Sequence, residues 1–126
     1  MGINLDSLAA AYLRRKKKDR THFRAFLKVD ELLKSDPEQA WQLALRAIAR
    51  SRNDYDLGYV AAGVLEDLLK THGMEFIERV EEQARLDPKF QHALSGVWIN
   101  ESYQVFSRWF ELLKKYGYMT GLRQRL

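Results

Sequence analysis

Residues 54–73, DYDLGYVAAGVLEDLLKTHG, decide the fold. Wound at about 3.6 residues per turn, the stretch puts Leu57, Val60, Ala61, Val64, Leu65, Leu68 and Leu69 on one wide apolar stripe. Gly58 and Ala62 border it with almost no side chain, so other helices can approach closely. The remaining arc, Tyr59, Gly63, Glu66, Asp67 and Lys70, leaves one narrow polar strip for solvent, a partner or a buried hydrogen bond. The pattern is that of a hub helix packed on more than one side, closed by Gly73 as a left-handed C-cap.

Outward from the hub, the chain repeats the same device. Upstream, Ser51 to Asp54 form a polar turn, and Asp36-Pro37 opens a helix whose Ala40, Trp41, Ala44, Leu45, Ala47 and Ile48 share one face. Before it, a helix from Thr21 is expected to turn His22, Phe23, Phe26, Val29, Leu32 and Leu33 to the core. The first helix starts at Asn4 or Asp6 and runs Leu5, Leu8, Ala9, Tyr12 along one face. It ends in Arg14, Arg15, Lys16, Lys17, Lys18 and Arg20, six cations in seven positions. Residues 1–20 thus read as a helix with a basic connector.

Downstream, Phe76, Ile77, Val80 and Ala84 line the inner face of a helix whose outer face carries Glu75, Glu78 and Glu82 with Glu81 nearby. Asp87-Pro88 starts a short helix that bears Phe90, Ala93, Leu94, Val97 and Trp98 and runs through Ser95-Gly96. Asn100 is expected to cap a last long helix through Ser102, Val105, Phe106, Trp109, Phe110, Leu113 and Tyr116 to Gly117. Residues 118–126 read as a loosely held tail. Alternating strand patterns are absent. The expectation is all-α: one domain over residues 1–126, a compact bundle of six to seven helices in irregular antiparallel pairs, with a weak helical-repeat character.

Composition narrows the function classes. A chain of 126 residues buries a core without disulfide or metal support. With no cysteine there is no disulfide framework and no thiolate chemistry, which fits a reducing compartment, and the cytoplasm is the expectation. No apolar run reaches the length of about 18 residues that a membrane span requires, so no membrane is expected among the partners. The net charge of +4 is unevenly spread. Both ends are basic and the middle is acidic, a segregation that steers charged partners.

The segment from Asp36 to Trp98 carries a likeness spread over many short matches. They are Asp36-Pro37-Glu38 with Ala40-Trp41, Ala61-Ala62-Gly63, Leu65-Glu66-Asp67-Leu68-Leu69, His72-Gly73, Phe76-Ile77, Glu81, Asp87-Pro88, Phe90, Ala93-Leu94 and Gly96-Val97-Trp98. In this order and spacing they resemble a family of small all-helical bacterial proteins known only as a domain of unknown function. Val64 stands where that family is expected to hold proline, a departure that bears on helix shape. The resemblance implies an all-helical bacterial protein and supplies no activity, cofactor or partner.

Chemistry-bearing patterns are sparse. His22, His72 and His92 lack metal-ligand spacing, Ser95-Gly96 lacks the second glycine of a nucleophile elbow, and no glycine-rich phosphate loop occurs. No metal, cofactor or enzymatic activity is expected. Glu66 and Asp67 stand out as adjacent acids on the hub. One can pair with Lys70 at i+4 or tie a neighbouring helix, and general acid–base use would need a cleft.

The reading that follows is a noncatalytic protein-binding module using Tyr59, Glu66, Asp67, Glu75, Glu78 and Glu82, in concrete form an immunity or inhibitor protein that neutralises a cognate toxin. The alternatives are a nucleic-acid-associated protein binding phosphates through Arg14, Arg15, Lys16, Lys17, Lys18 and Arg20, or an oligomeric helical scaffold burying Trp98, Tyr103 or the Tyr118 tail against another copy.

Overall fold

Asn4, Asp36, Asn53 and Asp87 each turn a side-chain oxygen onto a backbone N–H of the turn that follows, at 3.0, 3.3, 2.8 and 2.9 Å, and a helix begins at each. These bonds satisfy amides that a helix start leaves without a partner. Pro37 and Pro88 sit just inside two of the starts, where a missing N–H costs nothing.

The computed structural model describes residues 2–14 and 20–117. In chain order the helices are α1 (Leu5–Leu13), α2 (Arg20–Ser35), α3 (Pro37–Arg50), α4 (Asp54–Val60), α5 (Glu66–Leu86), α6 (Pro88–Leu94) and α7 (Phe106–Leu112). A π-helical turn, Ala61–Leu65, joins α4 to α5, and another, Leu113–Gly117, extends α7. Helical backbone angles at Val60, Ala61, Leu65 and Glu66 make α4, the π turn and α5 one continuous rod. No strand occurs among the described residues, and the fold is all-α as the periodicity predicts.

The rod is the hub. Val60, Ala61, Val64, Leu65, Leu68, Leu69, Ile77 and Val80 are fully or almost fully buried, in one continuous cluster with Leu43 and Ile48 of α3 and Phe90 and Leu94 of α6. α1 lies against α2 and α3, while α6 packs between α5 and the π turn after α7. Trp41 of α3 meets Phe76 and Phe90 with ring centroids 6.0 and 5.9 Å apart, tying three helices at one point.

Several expectations need correction. The hub does not end at Gly73. It bends at His72 (φ −133°, ψ 25°) and continues to Leu86. Gly73 serves close approach instead: a Cβ there would lie 2.6 Å from Val105 Cβ. The last helix begins at Phe106, because Asn100 caps only a local turn, taking the Ser102 N–H at 2.9 Å. Phe23, Phe26 and Phe110 are exposed, and the short helix expected to carry Val97 and Trp98 ends before them, at Leu94. On α2 the buried face is Ala25, Val29, Leu32 and Leu33, which leaves Phe23 and Phe26 rotated off it. Residues 118–126 lie outside the described residues.

Candidate functional site

The polar strip of the hub faces other helices more than it faces water. Tyr12, carried by α1 and 2% exposed, inserts its hydroxyl against the π turn and accepts a hydrogen bond from the Val64 N–H at 3.2 Å. Gly63 is what admits it, since a Cβ at that position would fall 2.5 Å from the Tyr12 oxygen. Tyr59 stacks obliquely on Tyr12 at 5.0 Å and shares a 3.1 Å hydrogen bond with His22 Nε2 on α2. Tyr59 is therefore part of an internal clasp between α1, α2 and the hub.

Glu66 is a structural tie. One carboxylate oxygen accepts the Trp98 backbone N–H at 2.6 Å and the other accepts Lys70 Nζ at 3.2 Å. Asp67 points the other way, onto the rim of a shallow groove whose floor is Tyr12, Val29, Leu33 and Val64 and whose opposite wall holds Phe26 and Asp30. Desolvation, and then repulsion from Glu66, push the Asp67 carboxyl above its ordinary range; Lys70 opposes the shift and Asp30 adds to it.

The three histidines hold the scaffold together. His72 Nε2 donates to the Leu33 carbonyl at 2.8 Å, filling an acceptor that the end of α2 leaves open, and His92 Nε2 donates to Asp54 Oδ1 at 2.8 Å. Among the described residues, no group of three or more His, Cys, Asp or Glu is placed to hold a metal ion. No helix among them is long and apolar enough to cross a membrane.

Glu75, Glu78 and Glu82 do share one exposed ridge of α5. Glu82 is paired with Arg85 at 2.6 Å, Glu75 lies 3.6 Å from His72 Nδ1, and Glu78 has no ion-pair partner among the described residues. Nearby, Arg79 grips Glu38 of α3 through both guanidinium nitrogens, one at 2.8 Å, while covering the faces of Trp41 and Phe76. That grip holds the Glu38 carboxyl at about 2. Of the basic run, Arg14 and Arg20 are described and exposed, and Arg15, Lys16, Lys17 and Lys18 lie outside the described residues.

A family model described as a family of unknown function, DUF6869, matches residues 13–115. The chain belongs to this family. No curated protein and no solved structure matches it.

In this DUF6869 chain Phe23 and Phe26, which the sequence pointed inward, are exposed together with Leu27. Phe23, Phe26 and Leu27 of α2 are 61%, 49% and 50% exposed, at i, i+3 and i+4, and so form one stripe. Arg20 and Arg24 lie along one edge of it, and Asp30, seven residues after Phe23, continues it in line toward the C-terminal end of α2. The sequence carried a signal for this: α2 has more large apolar residues than one buried face accommodates. A second feature, a cleft between the ends of α1 and α3, brings Arg50 and Arg52 to Arg14. Those two arginines, far from Arg14 in sequence, were not singled out by any local pattern.

Proposed function

We propose that the chain is a noncatalytic protein-binding module, and that its concrete role is an immunity or inhibitor protein that neutralises a cognate bacterial toxin by direct binding. The observation that carries this is the Phe23, Phe26 and Leu27 stripe on α2, with three large apolar side chains about half exposed or more on two consecutive turns. Contiguous apolar surface rimmed by charge is what a protein interface needs at its centre, with aromatic anchors supplying most of the binding energy.

The acidic ridge of Glu75, Glu78 and Glu82 has the complementary property. Charges at a rim speed encounter with an oppositely charged surface more than they hold the complex together. A basic toxin surface is thus the fitting partner. Tyr59 and Glu66 leave the contact list in this reading, because their polar atoms already serve the clasp and the Trp98 tie. In this reading the inhibitor acts in the cytoplasm, with which a cysteine-free chain is compatible.

Co-expression with the product of the adjacent gene tests the reading. The expected result is a stable complex and loss of that product's toxicity, with Phe23→Ala/Phe26→Ala restoring toxicity while helix content by circular dichroism stays unchanged. An adjacent product that neither binds nor harms the host would count against it.

A further inference from the structure

The shallow groove between α2 and the hub opens beside the apolar stripe of α2. Phe26 belongs to both, so stripe and groove make one continuous surface. Val29 and Leu33 of α2 and Val64 of the π turn form the apolar part of the floor, and Asp30 of α2 and Asp67 of α5 line the groove from two different helices. Its volume of about 30 Å³ has no room for a cofactor-sized molecule. The end of one inserted side chain is the scale that fits.

The charge of the groove is all of one sign. Two carboxylates line it and no basic side chain does. They also act on each other: burial and then Glu66 push the Asp67 carboxyl upward, Lys70 opposes the push, and Asp30 adds to it. Lys70 does not neutralise Asp67, because its ammonium sits on Glu66 at 3.2 Å. Thr71 bonds to Asp67 through the backbone carbonyl. Among the described residues no hydrogen bond or ion pair reaches the Asp67 carboxylate. Asp30 pairs with Lys34 at 3.1 Å, where Lys34 is 77% exposed, and such a surface pair yields easily to a better partner.

A cation that suits this place has a charged head on an apolar stem, which is the build of a basic side chain. Arginine fits better than lysine, because its planar head is weakly hydrated, forks onto a carboxylate and lies well on an aromatic face such as Phe26. A hard metal ion fits poorly: it asks for six or more oxygen ligands, and among the described residues no group of three or more His, Cys, Asp or Glu is placed to hold one. We propose that the groove receives an arginine side chain of the protein partner, its guanidinium on Asp67, with Asp30 adding charge, and its stem along Val29, Leu33 and Val64. This rests on the reading of the chain as a protein-binding module and names the residue that the module selects. The acidic ridge of α5 speeds encounter, whereas the groove discriminates.

The test is a nuclear magnetic resonance titration of the isotope-labelled full chain with two capped peptides. One is leucine-arginine-leucine-leucine, and the other carries citrulline in place of arginine, which keeps the shape and removes the charge. The arginine peptide should shift the Gly63, Val64 and Asp67 amides saturably and bind about tenfold or more tightly than the citrulline peptide. Asp67→Asn should erase most of that preference and Asp30→Asn part of it. Asp67→Asn should melt no lower than the parent, since the fold draws no bond from that carboxylate.

Equal binding of the two peptides by the parent would overturn the proposal, as would a preference that survives Asp67→Asn. Calcium that shifts the same amides and displaces the arginine peptide at equal ionic strength would assign the groove to a metal ion instead. The module reading is tested apart from this. Phe23→Ala should weaken both peptides alike and leave their ratio intact. A stable complex with the adjacent gene's product that is indifferent to Asp67→Asn would remove the groove and keep that reading, and peptide discrimination without any such complex would do the reverse.

Discussion

The hydroxyl of Tyr12 lies 3.2 Å from the backbone nitrogen of Val64, inside the central rod of the molecule. A side chain from the first helix thus takes a backbone amide of the fourth and fifth, at the one place where the rod winds as a π turn. Tyr12→Phe removes the acceptor from a buried amide and should cost about 1–3 kcal/mol in urea unfolding. Gly63→Ala should be destabilising in the parent and less so in a Tyr12→Leu background, which removes the oxygen its Cβ would strike. Equal costs in both backgrounds, measured as a double-mutant cycle, would show that the two residues do not meet.

Gly73 and Val105 make a second close approach, where the bend at His72 brings α5 against the segment before α7. A Cβ at residue 73 would sit 2.6–2.8 Å from three carbons of Val105, which is buried and branched and cannot swing away. Gly73→Ala should lower stability by about 1–3 kcal/mol through overpacking, seen as a lower melting temperature. Pairing it with Val105→Ala should recover part of the loss.

Glu66 separates structure from function cleanly. Its two oxygens are committed to the Trp98 N–H and to Lys70. Glu66→Ala should lower stability by about 1–3 kcal/mol, since the Trp98 amide loses a charged acceptor, while leaving partner affinity unchanged once the variant is folded. A variant of normal stability with weakened partner binding would return Glu66 to the interface.

The Glu38–Arg79 pair sets an acid-side dependence. Hydrogen bonds from Arg79, then from Gln42, hold the Glu38 carboxyl at about 2 against an ordinary 4.5. A depressed carboxyl contributes stability that is fully present above about pH 4.5 and lost as pH falls toward about 2. Both side chains are about half exposed, so solvent screening limits the effect to about 1 kcal/mol or less. Melting temperatures across that window should fall more steeply for the parent than for Glu38→Gln. Parallel curves would show that the pair contributes nothing.

The helix starts and the buried hub were legible because caps and the helical period are local. Asp36-Pro37 and Asp87-Pro88 announce themselves within a few residues, and the Val60 to Leu69 stripe needs only its own spacing. What the sequence did not disclose depends on meetings between distant segments. Nothing near Gly63 says that Tyr12 will reach it, and nothing near His72 says that Val105 will press on the next residue and that the helix will bend rather than stop. Glu66 and Asp67 were recognisable as special, yet their opposite fates, one tied to Trp98 and one on a groove rim, follow from which neighbour each faces. Phe23 and Phe26 of α2 were misassigned because an apolar residue at helical spacing reads as core even when it is rotated off the buried face of Ala25, Val29, Leu32 and Leu33.

The docking claim is tested most directly by the calorimetric dissociation constant of the complex with the adjacent gene's product, measured for the parent, Phe23→Ala/Phe26→Ala and Glu75→Lys/Glu78→Lys/Glu82→Lys. Loss of two buried aromatic anchors predicts a weakening of about 100-fold or more for the α2 variant, with the acidic variant changing mainly the association rate. An α2 variant that binds as tightly as the parent would contradict the account.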